Sequence, residues 1–400
     1  MLTSRGRSVL GLGLGVYLAA WAFGSKPLYP VATGLLLVVA LAWLWVRLAN
    51  RPFRAQRGWG DTEHVEGDDV PVLVELETSA SVMPAAATLV ERVGRLGEQR
   101  HLLTRHGRRL SVRYVLAGLR RGRYAFDDVH VEVADPFGLE RVTVPLPAPG
   151  ALLVYPRLAR LAQLFSEVGA HSHDGRRLLL RRQSGFELHG VREYAQGESL
   201  RRVHWRSTAR RGQLMVKELE DAPRDEIAVL LDADASAVVG ESFEMQVRAA
   251  GSILESYVRR GRRAVLVVNS ERRDVQQVHS PAADWRRALE LLAAVEPTGR
   301  STVARLLAEH DGAAARALEL VVVTARVERE LVDRLVQRAA SRRSVSLVHV
   351  DAASFNGAAR RPEPLLLRLQ GAGIPIATVR SGDDLAAVLE GSLVAEAVHA

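Results

Sequence analysis

The hydrophobic residues of this chain follow three different patterns in three successive regions. Two continuous apolar runs, at residues 9–23 and 28–48, come first. From Val70 onward, short runs rich in Val, Tyr and Phe alternate with polar positions and are separated by Gly, Pro and Asp, which is typical of strands and turns. Beyond Pro223, continuous apolar segments alternate with amphipathic ones. The pattern therefore predicts apolar helices, then a β-rich region, then an α/β region.

The two apolar runs predict a two-helix transmembrane hairpin over residues 1–57. The second run is long enough to cross a hydrocarbon core of about 30 Å, and the first is marginal. The turn between the runs has Lys26 as its charged residue, whereas arginines flank the hairpin on both sides: Arg5, Arg7, Arg47, Arg51, Arg54 and Arg57. By the positive-inside rule, both ends and everything that follows face the cytoplasm of a multi-pass cell-membrane protein. The alternative is a cleaved signal peptide followed by a single anchor.

Residues 58–157 predict a small β-sandwich, because five or more short strands follow one another there without a long helix. One turn in this region has the sequence D-P-F-G-L at residues 135–139. Pro136 and Gly138 suit the dihedral angles of a turn, and Phe137 is expected to fill the end of the sandwich. Catalysis is not expected in this region.

Residues 223–400 predict a doubly wound, mostly parallel sheet, so the fold class is α/β. Candidate strands are residues 227–232, 264–269, 318–324, 345–350 and 374–379, and helical segments are 243–260, 284–295, 327–341 and 383–398. Continuous apolar strands separated by amphipathic helices are typical of a parallel sheet that is covered on both faces. Residues 158–222 remain as a linker helix and a junction between the two soluble domains.

Composition narrows the classes of partner and chemistry. The net charge is +8, but lysine occurs only at Lys26 and Lys217. An overall preference for arginine explains this charge better than a nucleic-acid site does, so no nucleic acid is expected as a partner. The absence of cysteine excludes disulfides, thiolate zinc sites and cysteine nucleophiles. His171 and His173 lie beside Asp174, but without a third, distant ligand they predict a polar loop rather than a metal site.

The junction at residues 185–220 is dense in charge and has neither a helical nor a strand period. Its spacings R-x-Y-x-x-G, R-x-x-x-W and S-T-A-R resemble the signature of the bacterial family called domain of unknown function 58. The matching positions are Gly185, Arg192, Tyr194, Gly197, Arg201, Trp205, Ala209, Arg210, Leu214, Lys217 and Glu218. Glu198 stands where the family usually has Asp. The resemblance implies a carboxyl-terminal domain like von Willebrand factor A and, as partners, MoxR-type AAA+ ATPases.

Two interpretations of this signature stay open. Arg192, Tyr194 and Trp205 are expected to act as internal braces between domains, where breaking a buried ion pair costs about 3 to 5 kcal/mol. The other arginines outnumber the nearby acidic residues, so some of them are expected to face the carboxylates or phosphates of a partner. These arginines are Arg201, Arg202, Arg206, Arg210 and Arg211.

The first predicted strand of the α/β domain ends in D-A-D-A-S at residues 232–236. Ligands of open parallel sheets bind beyond the carboxyl ends of the strands, and this D-x-D-x-S resembles the D-x-S-x-S metal-dependent adhesion site of von Willebrand factor A domains. The resemblance implies Mg²⁺ on Asp232, Asp234 and Ser236, with Thr302 reaching in from a later loop. Asp234 replaces the first serine of that motif, and Ala325 stands where an acid is expected. Asp234 could instead pair with the arginines of the signature stretch.

The leading hypothesis is a membrane-anchored, non-enzymatic scaffold or adaptor in the cytoplasm. Through the resemblance, it would act with a MoxR-type AAA+ ATPase in assembly or maturation of protein complexes. A first alternative is a metal-dependent hydrolase that uses Asp232 and Asp234 with His204 as a base. A second alternative is a peripheral binder of anionic lipid or nucleic acid, whose binding would fall steeply as salt rises.

Overall fold

The structure of the protein is a computed structural model. It describes residues 1–60, 63–80, 82–147, 150–168, 187–194, 203–220, 227–280, 282–309, 312–341, 343–358 and 363–391, with 187–193 and 217–220 described by their backbone. The chain divides into two compact units, Met1–Arg157 and Leu158–Ala400. The junction predicted as a separate linker therefore groups with the carboxyl-terminal unit.

Helices and strands are numbered here in chain order. The helices are α1 (Ser4–Ala22), α2 (Leu28–Ala49), α3 (Phe165–Val168), α4 (Trp205–Arg211), α5 (Ser242–Arg259), α6 (Ala283–Ala294), α7 (Val303–Ala308), α8 (Ala313–Arg316), α9 (Arg329–Ala340), α10 (Pro364–Gly371) and α11 (Leu385–Glu390). The strands of the first unit are β1 (Phe53–Gly58), β2 (His64–Val65), β3 (Val70–Thr78), β4 (Ala86–Val93), β5 (Gly97–Leu102), β6 (Thr104–His106), β7 (Arg109–Leu116), β8 (Gly122–Ala134), β9 (Arg141–Pro145) and β10 (Gly150–Tyr155). Those of the second unit are β11 (Glu187–Glu193), β12 (Met215–Glu220), β13 (Ile227–Leu231), β14 (Ala264–Val268), β15 (Val275–Val278), β16 (Glu319–Thr324), β17 (Ser344–Val350) and β18 (Ile376–Val379).

Helices α1 and α2 pack side by side at the start of the chain. Gly13 lies close to Leu35 and Leu36, and the rings of Tyr17 and Tyr29 meet edge to face at 5.6 Å, so the two helices run in opposite directions. Within the described residues, α2 is the helix that is long and apolar enough to cross a membrane. The structure thus gives one candidate span where the sequence predicted two.

The rest of the first unit consists of two sheets packed face to face. One sheet has the strand order β1-β3-β7-β6, and the other has β2-β10-β8-β4-β5 with β9 paired to β8. Inward residues of both sheets, such as Val74, Leu89 and Phe126, share one hydrophobic cluster, as in a β-sandwich. The sandwich begins before the predicted residue 58, because β1 pairs with β3 from Phe53 onward.

The D-P-F-G-L turn does not fill the end of the sandwich as predicted. Phe137 is 67% exposed. Leu139, two residues later, is the buried hydrophobic residue of this turn and packs against Val39 and Ala42 of α2. The turn therefore contacts the apolar helices and leaves its phenyl ring uncovered.

The second unit contains the predicted α/β sheet, with the order β15-β14-β13-β16-β17-β18 among the described strands. Neighbours from β14 to β18 are parallel, and the edge strand β15 is antiparallel to β14. Alternate residues of β13 enter two different hydrophobic clusters: Val229 packs with residues of α5, α6 and α11, and Ala228 with residues of α7 to α10. Helices thus cover both faces, and all five predicted strands are confirmed, whereas β15 was not predicted.

Candidate functional site

The signature stretch folds into a small element made of β11, β12 and α4. Strands β11 and β12 pair in antiparallel fashion, and Thr208 Oγ1 of α4 accepts a hydrogen bond from the backbone N of Met215 at 3.0 Å. His204 begins the helix by accepting a bond from the backbone N of Ser207, and Gly212 ends it with a φ of 68°, a conformation that favours glycine. Val203, Met215 and Val216 form its buried side.

The outer surface of α4 has a different composition. Trp205 is 68% exposed, and Arg206, Arg210 and Arg211 are exposed as well. These four residues are called the Trp-Arg surface below. The predicted brace is therefore wrong for Trp205, because an exposed indole does not hold two elements together.

The other signature positions are described to different extents. Tyr194 is half-buried, and its backbone N donates to the carbonyl of Leu214 at 2.9 Å, which agrees with a structural role. Arg192 and Lys217 lie in β11 and β12, where the backbone alone is described. Other calls lie outside the described residues, namely Gly185, Gly197, Glu198, Arg201 and Arg202 of the signature and the loop with His171, His173 and Asp174.

The sequence-predicted cation residues do come together at the carboxyl ends of the parallel strands. Asp232, which follows β13, is only 5% exposed. Its Oδ2 accepts a bond from Thr324 Oγ1 at 2.6 Å, and its Oδ1 accepts from Asn269 Nδ2 at 3.2 Å and from the backbone N of Asp234 at 3.1 Å. Burial raises the pKa of Asp232, and these three donors oppose that rise. The carboxyl group therefore ties three strand ends together.

Asp234 and Ser236 follow Asp232 by two and four residues, and the side chains of both contact Arg326. Asp234 Oδ1 accepts from the backbone N of Ser236 at 2.9 Å and from its hydroxyl at 2.8 Å. Arg326 Nη1 donates to Ser236 Oγ at 2.9 Å and reaches Asp234 Oδ2 at 3.4 Å. Arg326 Nη2 also pairs with Glu328 at 2.7 Å. The guanidinium thus supplies the positive charge in front of these two side chains.

Thr302 reaches the same recess from the loop that begins at Gly299. Gly299 forms a parallel bridge with Asp234, and its backbone N donates to the carbonyl of Ala233 at 2.8 Å. Thr302 Oγ1 accepts from the backbone N of Arg305 at 3.3 Å, as the cap of α7. The loop from Gly299 to Thr302 therefore lies at the end of the first strand.

These residues do not fit Mg²⁺ as they are arranged. The oxygen atoms of Asp232, Asp234 and Thr302 are engaged by donors of the protein, and Ser236 accepts from Arg326. The recess lined by Asp232, Asp234 and Thr302 has a volume of about 10 Å³, which is room for about one water, whereas Mg²⁺ usually keeps several of its waters. A divalent ion would have to displace the guanidinium of Arg326.

This arrangement predicts that divalent cations do not stabilise the wild-type protein. We expect Mg²⁺ and Mn²⁺ to leave its thermal unfolding midpoint unchanged, and Arg326→Ala to acquire a cation-dependent rise, because the deletion frees the carboxylates of Asp234 and Glu328, with which Arg326 pairs. A ligand at a hundred times its Kd adds about 2.7 kcal/mol, which a melting experiment detects. Arg329→Ala, an exposed arginine at the start of α9, is the matched control. A rise in the wild type that Asp234→Asn removes would contradict this prediction.

The base that the hydrolase hypothesis requires is engaged elsewhere. His204 caps α4, and its Nδ1 lies 2.8 Å from Ser207 Oγ. In the described part of the chain, the structure records no hydrogen bond from His204 to Asp232 or Asp234.

Sequence reasoning missed three residues of this site: Asn269, Thr324 and Arg326. Asn269 and Thr324 are the polar residues with which two apolar strand segments end, and ends of adjacent parallel strands meet at one edge of the sheet. That rule could have placed them beside Asp232. Arg326 follows Ala325, which stands where an acid is expected, and no local pattern marks this arginine as a partner of Asp234.

Comparison with known proteins gives one family match and one relative. Residues 190–354 match the family described as "Protein of unknown function DUF58". The chain is similar to "Uncharacterized protein YeaD" of Bacillus subtilis (strain 168), with 26% identity over 298 residues that cover 70% of this chain and 72% of that protein.

Similarity to solved structures is slight. A β-glucosidase from Listeria innocua in complex with glucose gives 10% identity over 25% of this chain and 16% of that chain, with a TM-score of 0.15. Cwp6 from Clostridium difficile gives 7% identity over 74% of this chain and 37% of that chain, also with a TM-score of 0.15. These scores carry no conclusion about fold or function.

Proposed function

We propose that this chain is a membrane-anchored, non-enzymatic scaffold or adaptor in the cytoplasm, which acts with a MoxR-type AAA+ ATPase in assembly or maturation of protein complexes. The observation that carries the proposal is the exposed indole of Trp205 among Arg206, Arg210 and Arg211. Trp and Arg are the residue types that contribute most to binding at protein interfaces, together with Tyr. A partner that suits the Trp-Arg surface presents an apolar pocket with a carboxylate rim.

The membrane anchor in this proposal is the hairpin of α1 and α2. Helix α2 is the candidate span, and its exposed side chains include Leu37, Leu41 and Leu44, which lipid would cover. Helix α1 would be the second span. Among the flanking arginines, Arg57 no longer supports the orientation, because its side chain is buried in the sandwich. Arg5, Arg7, Arg47, Arg51 and Arg54 still favour cytoplasmic ends.

The proposal also includes a von Willebrand factor A-like fold for the α/β unit. Three observations support it: the parallel order β14-β13-β16-β17-β18, the antiparallel edge strand β15, and the acidic D-x-D-x-S turn after the central strand β13. In this protein, the turn is closed by Arg326. We therefore propose that partner recognition does not pass through a metal ion on Asp232 and Asp234.

Binding to the AAA+ ATPase tests this function. The full chain in lipid nanodiscs would be immobilised, and the affinity of a purified MoxR-type ATPase from the same organism measured with a slowly hydrolysed ATP analogue. We expect Trp205→Ala to weaken binding by about 2 kcal/mol, roughly thirtyfold in Kd, as for a central interface residue. Arg210→Glu is expected to weaken it further, because it places like charges against the carboxylates of the partner.

Arg272→Glu is the matched control, since Arg272 is exposed in the same unit but belongs to the turn between β14 and β15 rather than to α4. If the wild type binds the ATPase and both Trp205→Ala and Arg210→Glu bind it with unchanged affinity, another surface of the protein recognises this partner. Absence of binding by the wild type in every nucleotide state would reject the AAA+ partnership. Steep salt-dependent binding to anionic vesicles or nucleic acid instead would favour the peripheral-binder alternative.

A further inference from the structure

Phe137 is an exposed aromatic side chain at the tip of a rigid turn. Asp135 is buried at 2% exposure, and its carboxylate accepts bonds from the backbone N of Phe137 at 2.8 Å and of Glu140 at 2.6 Å. Gly138 takes a φ of 66°, which the turn requires. A turn fixed in this way holds its phenyl ring outward in one place, so the exposure of Phe137 is not explained by a loose loop.

The same turn is attached to the start of the chain and to the candidate membrane helix. Thr3 Oγ1 donates to the carbonyl of Gly138 at 2.7 Å, and the backbone N of Thr3 donates to the carbonyl of Leu139 at 2.9 Å. At Gly6 in α1, an added Cβ would lie 2.1 Å from that same Leu139 carbonyl. Leu139 itself packs on Val39 and Ala42 of α2. The turn is thus held against α2, at the level of the apolar residues of that helix.

The depth of this contact follows from helix geometry. Ala42 and Val39 precede the end of α2 at Ala49 by seven and ten residues, which is about 10 to 15 Å at 1.5 Å per residue. The headgroup layer on each side of a bilayer is about 5 to 8 Å thick. A turn at this depth cannot lie wholly in bulk water if α2 crosses the membrane, so Phe137 lies at the level of the lipid.

Charged and aromatic neighbours place that level near the boundary of the hydrocarbon rather than at its centre. The turn contains Asp135 and is followed by Glu140, and such charges are costly deep in hydrocarbon. Trp43 and Trp45, which follow Ala42 in α2, are exposed, and Arg47 lies over the Trp43 ring at 5.1 Å. Exposed tryptophans beside arginine are typical of the interfacial layer.

We infer that the 135–139 turn of the β-sandwich inserts Phe137 into the cytoplasmic interfacial layer of the membrane, next to Trp43 and Trp45, and so fixes one end of the sandwich against the lipid. The inference rests on the proposed anchoring by α2. The surface that covers the Phe137 ring is lipid. The turn packs directly on the candidate span α2, so lipid reaches the ring without a further protein partner. Strand β8 leads from this end of the sandwich to the opposite one.

The absence of cysteine from the chain allows a direct test. An environment-sensitive fluorophore would be attached to Phe137→Cys in the full chain, reconstituted into phosphatidylcholine and phosphatidylglycerol vesicles. We expect blue-shifted emission that is quenched severalfold more by lipids with a nitroxide near the headgroup than by aqueous iodide. Leu96→Cys is the matched control, because Leu96 is exposed at the other end of the sandwich and is expected to respond to iodide alone.

Leu37→Cys in the middle of α2 separates failure of this inference from failure of the anchor. Lipid quenching at position 37 together with iodide quenching at 137 would overturn the insertion of the turn and leave the anchor standing. Iodide quenching at both positions would overturn the anchor as well. A blue shift at 137 without lipid quenching would mean that protein covers Phe137, which also overturns the inference.

Discussion

Glu91→Ala is expected to destabilise the β-sandwich by about 3 to 5 kcal/mol, because it leaves the guanidinium of Arg57 buried without its carboxylate. The Arg57 side chain is 7% exposed and that of Glu91 is fully buried, and the two are joined by a salt bridge. Tyr114 also donates its hydroxyl to Glu91. Burial raises the pKa of Tyr114 above its usual value, so this hydroxyl stays protonated and remains a donor.

Hydrogen exchange followed by mass spectrometry measures this effect locally, which matters because a chain of two units has no single unfolding free energy. Amides of β3, β4 and β7 should exchange faster in Glu91→Ala. Glu77→Ala is the control, because Glu77 pairs with Arg109 at 2.7 Å on the surface of the sheet that holds Arg57, and such exposed pairs contribute less than about 1 kcal/mol. Equal protection in the two variants would refute the prediction.

A combined variant separates the charge from the packing. Arg57→Met, Glu91→Leu and Tyr114→Phe together replace the buried polar group with apolar side chains of similar size, a change that is often neutral or stabilising. We expect this triple variant to recover most of the protection that Glu91→Ala loses. Failure to recover would mean that the shape of this cluster, with Arg57 lying 4.1 Å over the ring of Phe126, matters more than its charge balance.

Gly299→Ala is expected to have the second largest effect. It should lower the free energy of unfolding of the α/β unit by about 1 to 3 kcal/mol, as in overpacked cores. An added Cβ would lie 2.1 Å from the carbonyl oxygen of Asn269 and 2.9 Å from that of Ala233. Both atoms belong to the backbone, so the loop must move. Its bridge to Asp234 would open, and exchange at the end of β13 should rise.

Gly371→Ala is the matched control for this prediction. Gly371 lies at the end of α10, and an added Cβ there meets no atom within 4 Å, so the substitution is expected to be neutral or to stabilise by up to about 1 kcal/mol. If the amides in the loop of Gly299 exchange at the wild-type rate in Gly299→Ala, the close approach of Gly299 to Asn269 is not needed for the stability of this loop.

The positions of the buried polar clusters could not be predicted from local pattern. Glu91 lies in a strand in which apolar and polar residues alternate. From the sequence alone, its carboxylate could point to solvent as easily as to the core. The register of β4 against β8 shifts between Val90 and Arg92, and such a bulge turns a side chain to the other face. Likewise, Arg326 was invisible as a partner of Asp234, because the two are brought together only when β16 pairs with β13.

The sequence by itself determined the order of the regions, the five parallel strands and the apolar α2, because the period of hydrophobic residues follows from which surfaces a helix or strand buries. It also brought Asp232, Asp234 and Ser236 to one strand end. The tertiary structure alone decided that Arg326 faces these groups, that Trp205 is exposed and that Phe137 is uncovered. Which side chains meet across strands, and which stay uncovered, depends on pairings between residues far apart in the chain, which no local period encodes.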